Sequence, residues 1–126
     1  MLANRLTHSS IKSVRDGQIV AQRGTCALCG LPGVIKDPVL DHCHTTGAVR
    51  GTLHRSCNSL LGKVENNAAR FGVKDLSAFL NGCARYLQIH KTNITRMIHP
   101  THKTEDEKRL VRNKKAVVRR AVAKKA

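Results

Sequence analysis

Residues 39–58 concentrate side chains that bind metals or move protons. The stretch VLDHCHTTGAVRGTLHRSCN holds three histidines, two cysteines, one aspartate and one asparagine. Imidazole exchanges protons near neutral pH, thiolates and imidazoles bind zinc, and carboxylate and amide oxygens bind Mg²⁺. The stretch therefore predicts a structural metal site, an active site, or both.

Two ligand pairs, Cys26-x-x-Cys29 and His54-x-x-Cys57, each leave a two-residue gap between their ligands. That gap lets both side chains of a pair reach one ion from a tight turn, and three thiolates with one imidazole suit tetrahedral Zn²⁺. Four protein ligands leave no open position for water, so the predicted role of this zinc is structural. Ordinary buried thiols, or a redox pair at Cys26 and Cys29, are the alternatives, although a redox pair would not explain the second pair. Cys43 and Cys83 are left over.

The Asp41-His42-Cys43-His44 block lies between these two pairs, which already complete a zinc shell. In a regular strand His42 and His44 point to one face and Asp41 and Cys43 to the other, unless a bulge intervenes. A lone surface histidine often has no role, and Asp41 could simply cap a turn. The position of the block between two ligand pairs favours an active site.

Composition indicates a polyanionic partner. The 126 residues include 23 Lys and Arg against 8 Asp and Glu, for a net charge of +15 and a pI near 10.4. Nucleic acid is the expected partner, with a ribosome-associated or merely solubilising basic surface as the alternative. Only two Phe, one Tyr and no Trp are present. So few aromatic side chains argue against stacking of single strands and predict a light core that needs a metal or a partner chain.

The hydrophobic pattern predicts an α+β fold with a mostly helical C-terminal half. A helix is expected over 7–22, ending at Gly24, followed by short strand-like pieces, VLDHCH and AVRGTL, around the TTG turn. A helix follows Leu53 until Phe71 and Gly72, and a second runs over 75–90 with an apolar stripe typical of core or dimer contact. Residues 91–103 form a linker, after which Thr104 and Glu107 fit a capping box before a basic helix. The predicted division is 1–72, 73–100 and 101–126.

The sequence contains no apolar run of signal-peptide or membrane-span length. We therefore expect a protein of the reducing cytoplasm, where the odd number of cysteines, five, favours metal ligands over disulfides.

The order C-x-x-C, L-D-H-x-H, G-x-V-R-G-x-L and C-N, with L-G shortly after, resembles the phage recombination endonuclease VII family of His-Me finger (HNH-like) nucleases. The likeness covers residues 26–62 closely and extends loosely to the two following helices. It implies a small zinc-stabilised ββα-metal core flanked by helices. It also implies a Mg²⁺-dependent endonuclease, for which Mn²⁺ may substitute, acting on branched DNA such as Holliday junctions, commonly as a homodimer.

Roles implied by the resemblance fall on matching positions of this chain. Asp41 and Asn58 would bind the catalytic Mg²⁺, His42 would be the general base, and His44 would hold or polarise the scissile phosphate. Cys26, Cys29, His54 and Cys57 would be the structural zinc ligands. His54 stands where the family usually has Cys, and Leu61 stands where the phage archetype has a carboxylate.

The sequence is compatible with three functions. The first is the junction-cutting endonuclease, and the second is a homing or nicking endonuclease of the same chemistry. The third is a zinc-containing DNA-binding protein without catalysis. The basic tail offers mainly Lys and Arg, which predicts phosphate contacts and steep salt dependence. The candidate DNA contacts are Arg50, Lys63, Arg109, Arg112, Lys115 and Arg119.

Overall fold

The computed structural model describes residues 4–126, and within them the chain is α+β and mostly helical, as predicted. Short 3-10 turns at His8–Ser10 and Val34–Lys36 precede α1 and β1 respectively. No helix of the described part is long and apolar enough to span a membrane. The main elements are α1 (Ile11–Ala21), β1 (Pro38–His42), β2 (Val49–His54), α2 (Arg55–Asn67), α3 (Leu76–Ile89) and α4 (Glu105–Lys125).

A small apolar core joins α1, the cysteine turn and the hairpin. In the described residues its buried members are Ile19, Cys26, Val34 and Leu53, against which Cys57 and Leu61 of α2 pack. One buried member is itself a predicted zinc ligand. A core this small provides little burial energy, so the fold depends on further links around it.

The hairpin and α2 form a ββα unit. β1 and β2 pair antiparallel, with Val39 opposite Leu53 and Leu40 opposite Thr52, and α2 begins directly after β2. Beyond Leu40 the register shifts, because His42 pairs with Val49. Two residues of β2, Arg50 and Gly51, therefore lie opposite the single residue Asp41, which is the arrangement of a β-bulge.

The side chain of Gln22, just after α1, pairs with the backbone of β2. Its amide nitrogen donates to the carbonyls of Thr25 and Thr52, both at 2.8 Å, and its oxygen accepts from the Thr52 N–H at 3.0 Å. Thr52 is fully buried, so without Gln22 its N–H would lose its partner at considerable cost. Beside Thr52, Gly51 passes so close to the cysteine turn that an added Cβ would lie 2.9 Å from the Ala27 Cβ.

Two of the helices differ slightly from the sequence prediction. α2 ends at Asn67, and residues 68–72 are turns, whereas the pattern predicted helix until Phe71 and Gly72. The turns at 68–72 keep helix-like hydrogen bonds, from the Phe71 N–H to the Asn67 carbonyl and from the Val73 N–H to the Ala68 carbonyl. They end at Gly72, whose φ of +81° belongs to the left-handed region. The N-terminal helix is shorter than its predicted span, since residues 8–10 form a 3-10 turn.

The chain divides into two compact units between Asn81 and Gly82, inside α3. The apolar stripe of α3 is largely exposed: Phe79 is 49%, Tyr86 64% and Leu87 66% accessible. In the second unit, α4 begins with the predicted capping box. The Thr104 hydroxyl accepts from the Glu107 N–H, and the Glu107 carboxylate accepts from the Thr104 N–H. The three-part division at 72 and 100 stays a prediction.

Candidate active site and metal cluster

The four predicted zinc ligands converge on one point. The ligand atoms of Cys26, Cys29, His54 and Cys57 all lie within 4.8 Å of one another. The first pair comes from the turn after α1, where Cys26 donates its N–H to the Leu31 carbonyl and its own carbonyl accepts from the Gly30 N–H. The second pair spans the end of β2 and the first turn of α2. A tetrahedral ion would thus tie the cysteine turn to the ββα unit.

The ring of His54 is oriented by the backbone of the cysteine turn. Its Nε2 lies 3.0 Å from the Pro32 carbonyl oxygen. Because a carbonyl can only accept, Nε2 must carry the hydrogen, which leaves Nδ1 with a free lone pair. Nδ1 lies 3.4 Å from the Cys29 sulfur and 3.8 Å from the Cys57 sulfur. The free nitrogen therefore points into the sulfur cluster, as a ligand must.

The electrostatics of the cluster fit a dication. Burial alone would raise the pKa of the Cys26 thiol, but backbone N–H groups of Cys29, His54 and Leu28 lower that pKa to about 6. Burial and the neighbouring sulfurs of Cys29 and Cys26 raise the pKa of Cys57 to about 11. The Cys26 thiolate therefore forms readily, whereas the neighbouring sulfurs disfavour the Cys57 thiolate. A bound dication would offset this repulsion between the sulfurs. The donor set could hold Zn²⁺ with no position left for water.

The two histidines of the Asp-His-x-His block lie side by side at the tip of the hairpin. His42 ends β1, and His44 begins the turn that follows. Their ring centroids are 4.9 Å apart, with 34° between the ring planes, and both residues are exposed. The structure therefore presents two imidazoles together to solvent, as the strand alternation predicts.

Asp41 faces the opposite side of the hairpin and is tied to α2 through Arg50. Asp41 is only 6% exposed, and its two carboxylate oxygens accept from Arg50 Nε at 2.6 Å and Nη2 at 3.0 Å. The other edge of the same guanidinium donates to Glu65 of α2, through Nη1 at 3.0 Å and Nη2 at 2.9 Å. Arg50 thus bridges two carboxylates with four charge-assisted hydrogen bonds.

The bulge explains this bridge. In a regular antiparallel register that continued the Leu40–Thr52 pairing, Arg50 would lie opposite His42 and share its face. The extra residue of β2 places Arg50 and Gly51 opposite Asp41 instead. The hydrogen bonds of Arg50 hold the pKa of the Glu65 carboxyl below its usual range, and Glu65 and Asp41 raise the pKa of Arg50. Arg50 and Glu65 are therefore both charged at neutral pH.

A groove of about 860 Å³ runs beside His42. Its walls come from the N-terminal segment, from α1 and from the hairpin, and they are mostly aliphatic, with Asn4 and Arg5 as polar members beside His42 and Thr46. Because the groove is open and shares His42 with the hairpin tip, it offers room for a substrate beside the imidazole. The other lining residues are Leu6, Ile11, Val14, Leu40, Gly47, Ala48 and Val49.

Asn58 lies in the first turn of α2, one residue after Cys57, and is half-buried. Asn58, Leu61 and Glu65 follow the i, i+3, i+7 spacing of one helix face. This face is the one that meets Asp41 through Arg50. Lys63 lies in α2 and is exposed. The structure thus gathers Asp41, Arg50 and Glu65 on the α2 side of the hairpin and leaves His42 and His44 at its tip.

Glu65 is the member of this cluster that sequence reasoning missed. It stands one helical turn after Leu61, the position where a carboxylate was expected from the resemblance. The signal was its seven-residue spacing from Asn58, which is helical. Arg5 was also missed, because nothing in its sequence surroundings links it to His42. The link depends on how the N-terminal segment folds over the groove.

Basic side chains cover α4. Arg109 pairs with Asp106 at 2.9 Å, one turn earlier in the helix. Arg112, Lys115 and Arg119 follow i, i+3, i+7 spacing on one face and are exposed. Exposed cations at that spacing form a stripe suited to phosphate contacts.

Comparison with known proteins adds one finding. The sequence profile described as recombination endonuclease VII matches residues 4–89, which includes the cysteine turn, the hairpin, α2 and α3. No curated protein matches the chain significantly.

Proposed function

Because the chain belongs to the recombination endonuclease VII family, we propose that it is a Mg²⁺-dependent DNA endonuclease that hydrolyses phosphodiesters in branched DNA. One observation carries the proposal: two paired, exposed histidines lie at the tip of a hairpin that holds the buried Asp41 on its α2 side and joins the Cys/His cluster. We assign Zn²⁺ to that cluster as a structural ion. The proposed place of action is the cytoplasm, where the thiols stay reduced.

In this proposal His42 is the general base. It is exposed at the groove, so a water molecule and a phosphate can both approach its ring. A neutral imidazole removes the proton of the attacking water and directs the resulting hydroxide at phosphorus, which typically contributes about 10²–10⁴-fold in rate. His44, 4.9 Å away between ring centroids, donates to a non-bridging phosphate oxygen. In this proposal His42 therefore acts on the attacking water and His44 acts on the phosphate.

Asp41 and Asn58 are the proposed holders of Mg²⁺. The chemistry of these residues fits the ion, because carboxylate and amide oxygens are hard donors and Asp41 already faces a cation, Arg50. When bound, Mg²⁺ supplies charge neutralisation for the phosphate and for the leaving oxygen. Asn58 follows Cys57 directly, so an ordered zinc cluster also orders the position of Asn58. Asp41 and His42 are adjacent in β1 but face opposite sides of the hairpin, so in this proposal the twist at the β-bulge brings base and carboxylate to one phosphate.

DNA binding is proposed for the basic surface. Arg112, Lys115 and Arg119 lie on one face of α4, and Arg109 and Lys63 are further candidates. Such contacts go to phosphates and carry no base sequence, which favours recognition of DNA shape over a linear site. That preference ranks branched DNA above a homing or nicking specificity.

A homodimer is proposed because α3 exposes large apolar side chains, including Phe79, Tyr86 and Leu87. An apolar stripe of this kind is favourably covered by a second chain. Two chains would bring two active sites, as symmetrical cleavage of a junction requires.

The first test compares cleavage of a labelled four-way junction with cleavage of its matched linear duplex, in Mg²⁺ or EDTA. We expect Mg²⁺-dependent cleavage of the junction and its loss, by about 10²–10⁴-fold, in His42→Ala. His102→Ala, which removes an exposed imidazole outside the matched family region, is the control and should cleave normally. Zinc content and DNA binding are measured for each variant.

Other outcomes would favour the competing functions. Preference for one linear site over the junction would indicate a homing or nicking endonuclease. Absence of cleavage in Mg²⁺ and Mn²⁺, with full zinc and tight DNA binding, would indicate a non-catalytic binder.

A further inference from the structure

The guanidinium of Arg50 contacts the carboxylate of Asp41, where a divalent cation would bind. Both oxygens of this nearly buried carboxylate accept hydrogen bonds from the guanidinium, at 2.6 and 3.0 Å. A divalent ion that binds Asp41 must therefore share or replace this contact. Two cations a few ångströms apart repel each other strongly when partly shielded from water, so full sharing is unfavourable.

Glu65 provides a second place for the guanidinium. It binds the outer edge of Arg50 through Nη1 and Nη2, while Asp41 binds the edge formed by Nε and Nη2. The two carboxylates come from different elements, α2 and β1, and only Nη2 contacts both. Arg50 can therefore release Asp41 and remain held by Glu65.

We propose, on the basis of the function proposed above, that Arg50 is a tethered counter-ion which competes with the divalent cation for Asp41. Glu65 is a positioning residue that retains Arg50 after its displacement. The exchange leaves Asp41 free for the divalent ion and leaves a guanidinium with spare N–H donors beside the reaction site. Binding of the ion and presentation of Arg50 to a phosphate are thereby coupled.

The lowered pKa of Glu65 and the raised pKa of Arg50 agree with this picture, since each stabilises the charged form of the other. The resident ion pairing also keeps Asp41 compensated before the cation arrives, because a buried carboxylate without a partner is costly. The arrangement thus lowers cation affinity in the free protein and preserves the fold around Asp41.

The test measures Mn²⁺ affinity by calorimetry on zinc-loaded protein without DNA. Arg50→Gln removes the competitor and should bind Mn²⁺ about tenfold or more tightly than the wild type. The matched control is Arg55→Gln, which removes one positive charge from another Arg–Asp pair, with Asp37, in the same ββα unit. It should leave Mn²⁺ affinity unchanged. Equal tightening in both variants, or no tightening in Arg50→Gln, would overturn the proposal.

The role of Glu65 is tested by a double-mutant cycle. Glu65→Gln should weaken Mn²⁺ binding in the wild type, because Arg50 then stays on Asp41, and should have little effect in the Arg50→Gln background. Equal weakening in both backgrounds would show that Glu65 acts on the ion directly, and the positioning role would be wrong.

A measurement on the unaltered protein covers the case in which Arg50→Gln does not fold. The Arg50 Nε–H signal in nitrogen-15 NMR should shift on saturation with Mg²⁺, as its 2.6 Å hydrogen bond to Asp41 breaks. An unmoved signal at saturation overturns the proposal. DNA cleavage in the same buffer separates the two ideas: a wild type that cleaves while its Arg50 signal stays fixed keeps the proposed function and loses this inference. A wild type whose Arg50 signal shifts with Mg²⁺ but which does not cleave DNA keeps this inference and loses the proposed function.

Discussion

At the scale of single residues, the four-ligand cluster allows a cysteine inside the cluster to be compared with a similar cysteine outside it. Cys57 and Cys83 are both half-buried in helices, but only Cys57 has its sulfur near the other ligands. Substitution of either by Ser is nearly isosteric, so the two variants form a matched pair. Their difference reports the metal site and not the loss of a thiol.

We expect wild type and Cys83→Ser to hold one zinc ion per chain, and Cys57→Ser to lose it to a chromogenic chelator. Serine is a poor replacement for a thiolate ligand, and the remaining three ligands leave one position open. Metal content and release rate are the measurements. Retention of one chelator-resistant zinc ion by Cys57→Ser would contradict the four-ligand cluster.

The sequence predicts this cluster well, because each ligand pair lies within one turn and its spacing is local. It did not predict the Arg50–Glu65 contact. Those residues are 15 positions apart, and their meeting depends on the bulge. Gly51 inside β2 is compatible with a bulge, but it does not fix the register that brings Arg50 to Glu65. The catalytic roles of Asp41, His42, His44 and Asn58 stay predictions.

At the scale of elements, the packing of β2 on the cysteine turn depends on the absence of a side chain at Gly51. A Cβ there would lie 2.9 Å from the Ala27 Cβ and 3.5 Å from the Gln22 oxygen that binds Thr52. Relief would have to separate β2 from the turn that carries Cys26 and Cys29. The fold and the zinc ligands are thus joined at this contact.

We expect Gly51→Ala to lower the free energy of unfolding by about 1–3 kcal/mol. Gly62→Ala is the matched control, since Gly62 lies inside α2 with nothing within 4 Å of an added Cβ. It should stabilise the protein by about 0.5–1 kcal/mol, because alanine is the better helix former. Urea denaturation of the zinc-loaded proteins measures both changes, and equal effects would show that the contact is unimportant.

Helices were the part of the fold that periodicity predicted best. α3 and the capping box of α4 lie within one residue of their expected positions. The ends of α1 and α2 were less accurate, because turn geometry at residues 8–10 and 68–72 competes with helical pattern. Strand positions followed from alternation, whereas the shift in register did not.

At the scale of the whole molecule, the proposed catalytic residues and most of the proposed DNA-binding cations lie in different parts of the chain. The proposed active site lies before Asn81, and α4 carries a dense run of Lys and Arg. Removal of residues 101–126 should weaken DNA binding and make it less dependent on salt. The slope of the logarithm of the binding constant against the logarithm of salt concentration should become shallower by about 0.9 for each phosphate that is no longer neutralised. Cleavage at saturating enzyme should persist. Its complete loss would show that the tail forms part of the site.

Two charge-matched variants refine that experiment. Replacement of Arg112 and Arg119 by Gln alters one face of α4, and replacement of Lys114 and Lys125 alters another. We expect the first pair to reduce the salt slope more. Equal reductions would indicate that the tail acts only through its total charge.

The bulge has a consequence for how such a chain can tolerate changes in length. Insertions or deletions within the turn at 44–47 lie outside the paired strands, so they leave Arg50 opposite Asp41. Loss of Gly51 would instead restore a regular register with Arg50 next to Thr52, where an added Cβ would lie 2.9 Å from the Ala27 Cβ. Loss of Arg50 would remove the bridge from Asp41 to Glu65. Functional variants should therefore differ freely in the length of the turn, while the four residues that follow it keep their number.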